Sequence, residues 1–281
     1  MYDNLLQIYS TLERYGIEKP FLETLQIMDI LLGGKIKALT LTSAGGEDLD
    51  LEDLAKKRKE GMPREYILGQ ASFMGLSFYC SPATLIPREE TELLVNVALD
   101  YIDGFNRDEI VVIDMGTGCG NIAVSIAINS DNTKILATDL DPDAIDIAKK
   151  NVKRYELQKR VSLFCGDRFS PFEKSGKEET IDLIVCNPPY IPSSSVLKLS
   201  PEILDFEPKL ALDAGPYGID FFSSLISGSL KYLKSKGILV FEIGEGQEKL
   251  VTRLFRKSGG YEGIQYFYDH YHVRVISGMK I

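Results

Sequence analysis

The chain has few of the residues that build metal centres and redox frameworks. Of 281 residues, two are histidine and four are cysteine. Cys80, Cys119, Cys165 and Cys186 contain no CxxC pair. That spacing speaks against zinc and against a disulfide framework and predicts free thiols in a reducing compartment. His270 and His272 form an HxH near the C-terminus with no third ligand in view, and are expected on the surface. No metal site is expected. No apolar run reaches the roughly 18 residues of a membrane span. The opening "MYDNLLQIYSTLERYGIEKP" mixes acids, bases and apolar residues, unlike a signal or transit peptide. Repeats and low-complexity segments are missing too. A cytoplasmic protein with no membrane partner is expected. Positive charge is also scarce: 32 Lys and Arg stand against 41 Asp and Glu, a net charge of -9. A protein that lives on nucleic-acid phosphates usually shows a basic face. The acidic balance suits a basic protein partner better, so no direct nucleic-acid contact is expected.

What is present is an ordinary globular balance, 44% hydrophobic and 26% charged, in a chain long enough for one large and one small domain. Leu5, Leu6, Ile8, Tyr9 and Leu12 fall at helical spacing. A second helix is predicted from Pro20 through Phe21, Leu25, Met28 and Leu32 to a stop at Gly33-Gly34. "TSAGGEDLD" reads as a loop and "LEDLAKKRKEG" as a third helix. This gives a helical unit over residues 1–70. Residues 71–87, rich in aromatics, Ser, Gly and Pro, read as a hairpin linker. From 88 to 281 helices and apolar strands alternate. A helical run holds Leu93 to Tyr101. Then come "IVVID", helix "GNIAVSIAIN", "KILATD", helix "DAIDIAKKNVKRY", "VSLFCGD" and "IDLIVCN". A helix at 218–234, "GILVFEIG", a helix at 246–258 and strands near 263–268 and 271–277 complete the chain. Such alternation predicts a parallel α/β sheet covered on both faces.

Three successive strands of that sheet end in turns containing Asp. "VVIDMGTGCGN" puts Asp114, Gly116, Gly118 and Gly120 where a strand gives way to a helix. Glycines there permit a tight turn and close approach of backbone to ligand. The pattern is GxGxG rather than GxGxxG, and no GK[ST] P-loop is present. The next strand ends "TDLDP", with Asp139 21 residues after Gly118, where an acid suits the two hydroxyls of a ribose. Asp141-Pro142 reads as N-cap and first residue of the following helix, a structural role. The third strand ends "CGDRF", and Asp167 is placed to accept from an adenine amino group. No pyrophosphate seat or nicotinamide pocket shows, so the spacing suits S-adenosylmethionine better than a dinucleotide.

"VCNPPY" follows the fourth strand. In a doubly wound sheet that strand neighbours the first across the switch point, where ligands bind. Asn187 and the glycine loop should therefore sit side by side. An amide or aryl-amine nitrogen is a poor nucleophile with two N–H donors. The Asn187 side-chain oxygen and the Pro188 carbonyl can accept both, Pro188 and Pro189 stiffen the backbone, and Tyr190 can stack on a planar group. Positioning of this kind supplies several kcal/mol, up to roughly 7–11 in the best cases.

The stretches "PREYILGQASFMGLSFYCSPATLIPREETELLV", "IDMGTGCGNIAVSIA", "ATDLDPDAIDIAKKN", "CGDRFSPF", "NPPYIP" and "DFEPKLALDAGPYGIDFFSSLI" resemble the protein-(glutamine-N5) methyltransferase family, specifically the branch that modifies peptide chain release factors. The resemblance covers nearly the whole chain. NPPY alone is shared with other families; its combination with the upstream "LIPREETELLV" is more specific. The family implies a small, five-helix-like N-terminal domain for substrate recognition. It further implies a hairpin linker and a Rossmann-like methyltransferase domain with a seven-stranded, mostly parallel sheet. It implies methyl transfer from S-adenosylmethionine to the glutamine of a release factor's GGQ loop. Carried over, Gly116, Thr117, Gly118, Cys119 and Gly120 would line the methionine part of the cofactor and Asp139 would hold the ribose. Asp167 and Arg168 would flank the adenine, and Asn187 to Tyr190 would grip the glutamine. A monomer is expected.

The chain departs from the family pattern in places. Arg168 stands where relatives often carry a large aromatic, "PREETE" replaces PRPDTE, and Tyr217 replaces a frequent acid. Arg88, Thr91 and Glu92 are expected to bridge linker and core near the cofactor mouth. Glu207-Pro208 matches without a physical account. The competing readings are a glutamine methyltransferase for a ribosomal protein, an N6-adenine or N2-guanine nucleic-acid methyltransferase, for which NPPY would suit a flipped base, and a non-catalytic cofactor-binding scaffold.

Overall fold

The computed structural model describes residues 2–32, 50–216 and 219–281. The expected helix stop at Gly33-Gly34, the loop before Asp50 and the departure at Tyr217 lie outside them. The chain forms two compact units. One comprises Met1–Pro87 with Leu199–Pro208, the other Arg88–Lys198 with Lys209–Ile281.

The first unit opens with α1 (Tyr2–Arg14), α2 (Pro20–Leu32), α3 (Leu51–Lys59) and α4 (Arg64–Leu68), then strands β1 (Gln70–Phe73) and β2 (Leu76–Tyr79). Pro20 opens α2, where its missing N–H costs nothing. Asp50 caps α3 by accepting from the Glu52 and Asp53 amides, and basic residues fill that helix's last turn. Ile8 and Leu12 of α1, Ile27 and Met28 of α2 and Leu51 and Leu54 of α3 share one core. The strands pair antiparallel across Met74-Gly75, both in the left-handed region (φ 50° and 68°). Two positive φ values in a row are what a two-residue hairpin with right-twisted strands demands.

The second unit runs α5 (Thr91–Gly104), β3 (Ile110–Met115), α6 (Asn121–Asn129), β4 (Thr133–Asp139), α7 (Pro142–Arg154), β5 (Val161–Cys165), β6 (Ile181–Cys186) and α8 (Ser193–Val196). After α9 (Pro201–Phe206), which packs with the first unit, it resumes with α10 (Lys209–Leu212) and α11 (Asp220–Tyr232). It ends with β7 (Leu233–Glu242), α12 (Glu248–Ser258), β8 (Tyr261–Asp269) and β9 (His272–Lys280). Its seven strands form one sheet in the order β5-β4-β3-β6-β7-β9-β8. Strands β5 through β7 are parallel, and β9 and β8 close the edge antiparallel. Every residue of β6 is buried, as a strand covered on both faces requires. Phe222 of α11, Phe241 of β7 and Phe255 of α12 pack on one face. The sheet is the mostly parallel α/β architecture expected, with its switch point between β3 and β6. The short helices α8, α9 and α10 were not foreseen, since four to six residues are too few to carry a helical period. His270 sits in the left-handed turn between β8 and β9 (φ 51°), and both histidines are exposed. None of the four cysteines is in a disulfide. Among the described residues no helix is long and apolar enough to cross a membrane, and no group of His, Cys, Asp and Glu could hold a metal ion.

Candidate active site

The carboxyl ends of β3, β4 and β6 converge on one loop. Leaving β3, the chain turns through Gly116, Gly118 and Gly120, all at positive φ (72°, 54° and 82°). Glycine tolerates this region without strain. At Gly120 it also permits packing, because an added Cβ would lie 3.4 Å from the Ala148 side chain of α7. The loop is held from several sides. The Thr117 amide donates to the Thr138 carbonyl (2.8 Å) and Asn151 of α7 donates to the Cys119 carbonyl (2.8 Å). Asp114 accepts from the Thr117 hydroxyl (2.6 Å) and from the Ala123 amide of α6 (3.1 Å), both at Oδ2. Asp139 accepts from the Gly118 amide (2.8 Å) and, at its other oxygen, from the Asp141 amide (3.0 Å). Asp141 itself caps α7 through the Asp143 amide, the structural role its sequence context predicts.

These contacts leave the site negatively poised. Asp114 is fully buried, and burial pushes its carboxyl up to about 7 despite its two donors. Its Oδ1 is buried with no hydrogen-bond partner among the described residues. Burial also raises the Asp139 carboxyl. Cys119 beneath the loop is buried and its thiol is pushed up to about 12, so it is a packed thiol and no nucleophile. Above Gly118 an added Cβ would meet nothing within 4 Å. A buried carboxyl and a half-buried one beside open space favour a ligand that brings positive charge.

Next outward, after β5, Asp167 is gripped by its neighbour. Arg168 Nε donates to one carboxylate oxygen (2.8 Å) and Nη2 to the other (3.1 Å), while Nη1 reaches Ser224 of α11 (2.6 Å). The guanidinium lies 5.9 Å from the centre of the Phe221 ring. Arg168 is thus a bracket between the β5 turn and α11, within cation–π reach of an aromatic ring. The Asp167 oxygens keep spare lone pairs for a further donor.

Asn187 stands beside the glycine loop, as expected. The pairing of Met115 with Cys186 aligns the two strand ends, and a Cβ on Gly116 would come 4.0 Å from the Asn187 carbonyl oxygen. The Asn187 side chain donates from Nδ2 to Thr91 Oγ1 at the start of α5 (3.0 Å). Thr91 donates onward to Glu242 Oε2 at the end of β7 (2.8 Å), and the Tyr190 hydroxyl donates to Glu242 Oε1 (3.1 Å). Gln247 closes a second loop of contacts: its Nε2 donates to the Tyr190 carbonyl (2.8 Å) while its Oε1 accepts from the Gly244 amide (2.8 Å). Burial raises the Glu242 carboxyl, and burial beside Glu242 raises the Tyr190 phenol.

The structure therefore brings Gly116 to Gly120, Asp139 and Asn187 together and puts Asp167 and Arg168 one strand further out. Thr91, expected to bridge linker and core, bonds to Asn187 and Glu242. Glu242 and Gln247 were missed. The trace in the sequence is an acid closing the apolar run of "GILVFEIG", a position where a strand bound for the core has no use for charge.

The methyltransferase small domain family model matches residues 91–204. The release factor glutamine methyltransferase of Bacillus cereus is 36% identical over 231 residues, 82% of this chain and 77% of that protein. The enzyme of the same name from Moorella thermoacetica is 34% identical over 266 residues, 91% and 89% of the two chains. That of Geobacter sulfurreducens is 35% identical over 250 residues, 87% and 84%. Among solved structures, the catalytic domain of hMettl16 in complex with a 3'UTR hairpin has a TM-score of 0.60 at 20% identity, over 85% of this chain and 84% of that one. A methyltransferase from Pyrococcus furiosus has a TM-score of 0.51 at 19% identity, over 74% and 90%. These two share the fold. The relatives in sequence, similar across both units, decide the family: this chain belongs to the release factor glutamine methyltransferases.

Proposed function

We propose that this protein transfers a methyl group from S-adenosylmethionine to the side-chain amide nitrogen (N5) of the glutamine in the GGQ motif of a peptide chain release factor. The observation that carries the reading is the state of Asn187. One of its amide N–H groups is taken up by Thr91, which leaves the oxygen end of the group as an acceptor, on a residue whose backbone lies beside the glycine loop.

The residues present fit the cofactor, whose sulfonium and ammonium groups outweigh its one carboxylate. Asp139 and, once ionised, Asp114 supply the negative field, and Asp114 Oδ1 has no hydrogen-bond partner among the described residues. Gly116, Thr117, Gly118, Cys119 and Gly120 would line the methionine part, Asp139 the ribose, and Asp167 with Arg168 the adenine. When bound, the cofactor supplies an electrophilic methyl on a positively charged sulfur.

The chain's own task is to hold the amide. A glutamine nitrogen shares its lone pair with its carbonyl and carries two hydrogens. Asn187 Oδ1 and the Pro188 carbonyl accept those hydrogens, fix the nitrogen in one orientation and draw electron density onto it. With the cofactor bound, the new N–C bond would form as the methyl–sulfur bond breaks, and one of the two hydrogens, already resting on an acceptor, would pass as a proton to solvent. No strong base precedes transfer. Tyr190, fixed at its hydroxyl by Glu242 and at its carbonyl by Gln247, presents a ring that cannot swing. The first unit is the part we assign to recognition of the release factor, and the protein works as a cytoplasmic monomer.

The test is a radiolabelled transfer assay offering intact release factor, the same factor with its GGQ glutamine changed to alanine, ribosomal protein, DNA and RNA. Label in the intact factor, absent from the alanine form, is the expected result. Label confined to ribosomal protein or nucleic acid would keep the amide-holding chemistry and overturn the substrate.

A further inference from the structure

We propose that Glu242 is a positioning residue that sets which way round the Asn187 amide faces, acting through the Thr91 hydroxyl. The inference rests on the reading above, in which the acceptor end of Asn187 meets the substrate nitrogen.

An asparagine amide is nearly symmetric in shape, and rotating it by half a turn exchanges a two-donor end for an acceptor end. Only its hydrogen-bond partners can tell the two apart. A threonine hydroxyl is ambiguous on its own, since it has one proton to give and can also accept. A carboxylate is not: ionised, it accepts only. Glu242 is buried to 1% exposure at the end of β7 and receives two hydroxyl protons, from Thr91 and from Tyr190. The single Thr91 proton is thereby committed, so Thr91 Oγ1 can only accept from its other neighbour. That neighbour is Asn187 Nδ2. The direction of the whole chain is dictated from its carboxylate end.

The alternatives show why an acid is needed. A glutamine at 242 could donate to Thr91, which would then donate to Asn187, and the amide would turn its NH2 toward the substrate's own N–H groups. Donor would face donor. The same carboxylate fixes Tyr190, so both ends of the NPPY turn refer to one buried group. Of the charged groups facing Glu242, Arg274 on β9 favours its ionised form and Glu90, ahead of α5, opposes it.

The test uses the full chain and the variants Thr91→Val, Thr91→Ser and Glu242→Gln. The first readout needs no substrate: protection of the Asn187 side-chain amide protons from solvent exchange, followed by NMR. The others are kcat and KM for the release factor, the Kd for S-adenosylmethionine by calorimetry, and the melting temperature. Thr91→Val and Glu242→Gln should each lose the Asn187 protection and lower kcat about tenfold or more, with cofactor Kd within about twofold of wild type. Thr91→Ser, which keeps the hydroxyl, should retain protection and restore most of kcat. A Thr91→Val enzyme that folds and turns over like wild type would overturn the proposal. So would a Thr91→Ser enzyme as defective as the valine form, or cofactor affinity that falls in step with kcat. If Glu242→Gln does not fold, the Thr91 pair decides alone. Wild-type protein that shows the protection pattern yet methylates no release factor would sink the substrate reading and leave the orientation lock standing.

Discussion

Binding of S-adenosylmethionine should expel a proton at neutral pH. Asp114 is the source. Its carboxyl, fully buried under the glycine loop, is pushed up to about 7 from 3.8, so at pH 7 about half of the molecules carry it protonated. The sign for stability follows from linkage. A carboxyl whose folded value lies above its unfolded one binds its proton more tightly in the folded state. Its contribution is complete below about pH 4 and is lost as the pH climbs through about 7, by up to about 4 kcal/mol for a shift of this size. The destabilisation of the ligand-free site therefore grows between about pH 4 and 7 and levels off above, with Asp139 pulled in the same direction. A cation brought beside the loop favours the ionised form and lowers the value. Binding at pH 7 should then release up to about half a proton from Asp114, and at pH 9, where that carboxyl is already ionised, close to none. The assay is calorimetry in phosphate and in Tris at each pH, where the slope of binding enthalpy against buffer ionisation enthalpy counts protons. The cofactor's own amino group titrates nearby and contributes equally to wild type and to Asp114→Asn, so the quantity is the difference between the two proteins. No difference at pH 7, or one that persists at pH 9, refutes the assignment of Asp114 as the carboxylate that senses the ligand's charge.

Two further outcomes are expected. Asn187→Ala removes the acceptor and should cut kcat by more than about tenfold with cofactor Kd within about twofold, and transfer within about twofold of wild type would remove the central claim. In the first unit Phe21 and Leu25 of α2 are 57% and 43% exposed, so replacing both with Ser should cost little stability. If that unit receives the release factor through this face, KM should rise by about tenfold or more, since burying one such side chain is worth about 1.5–3 kcal/mol, and cofactor Kd should not move; an unchanged KM would turn the recognition role away from α2.

The sheet was legible because its strands are written twice, once as apolar runs and once as the turns that end them. "IVVID" before GTGCG and "IDLIV" before NPPY each announce a buried strand and the residues at its mouth, and the pairing of Met115 with Cys186 follows from the usual order of such sheets. Local chemistry of this kind travels well in sequence. What does not travel is a partnership across distance. Thr91 opens α5 and Glu242 ends β7, 151 positions apart, and neither residue type at either place asks for the other. The same holds for Arg58 of α3 and Glu202 of α9, 144 positions apart, which pair within the first unit although the sequence pattern assigns 199–208 to the second. One signal was nonetheless in view. A glutamate at the end of "ILVF" must be buried with its neighbours, and a buried carboxylate is costly without donors. The question it raises, which donors face it, has its answer in two hydroxyls that the NPPY turn and the start of α5 supply. Read that way, the acid in the strand and the asparagine in the turn are parts of one hydrogen-bond chain, and the direction of that chain is the property on which amide recognition depends.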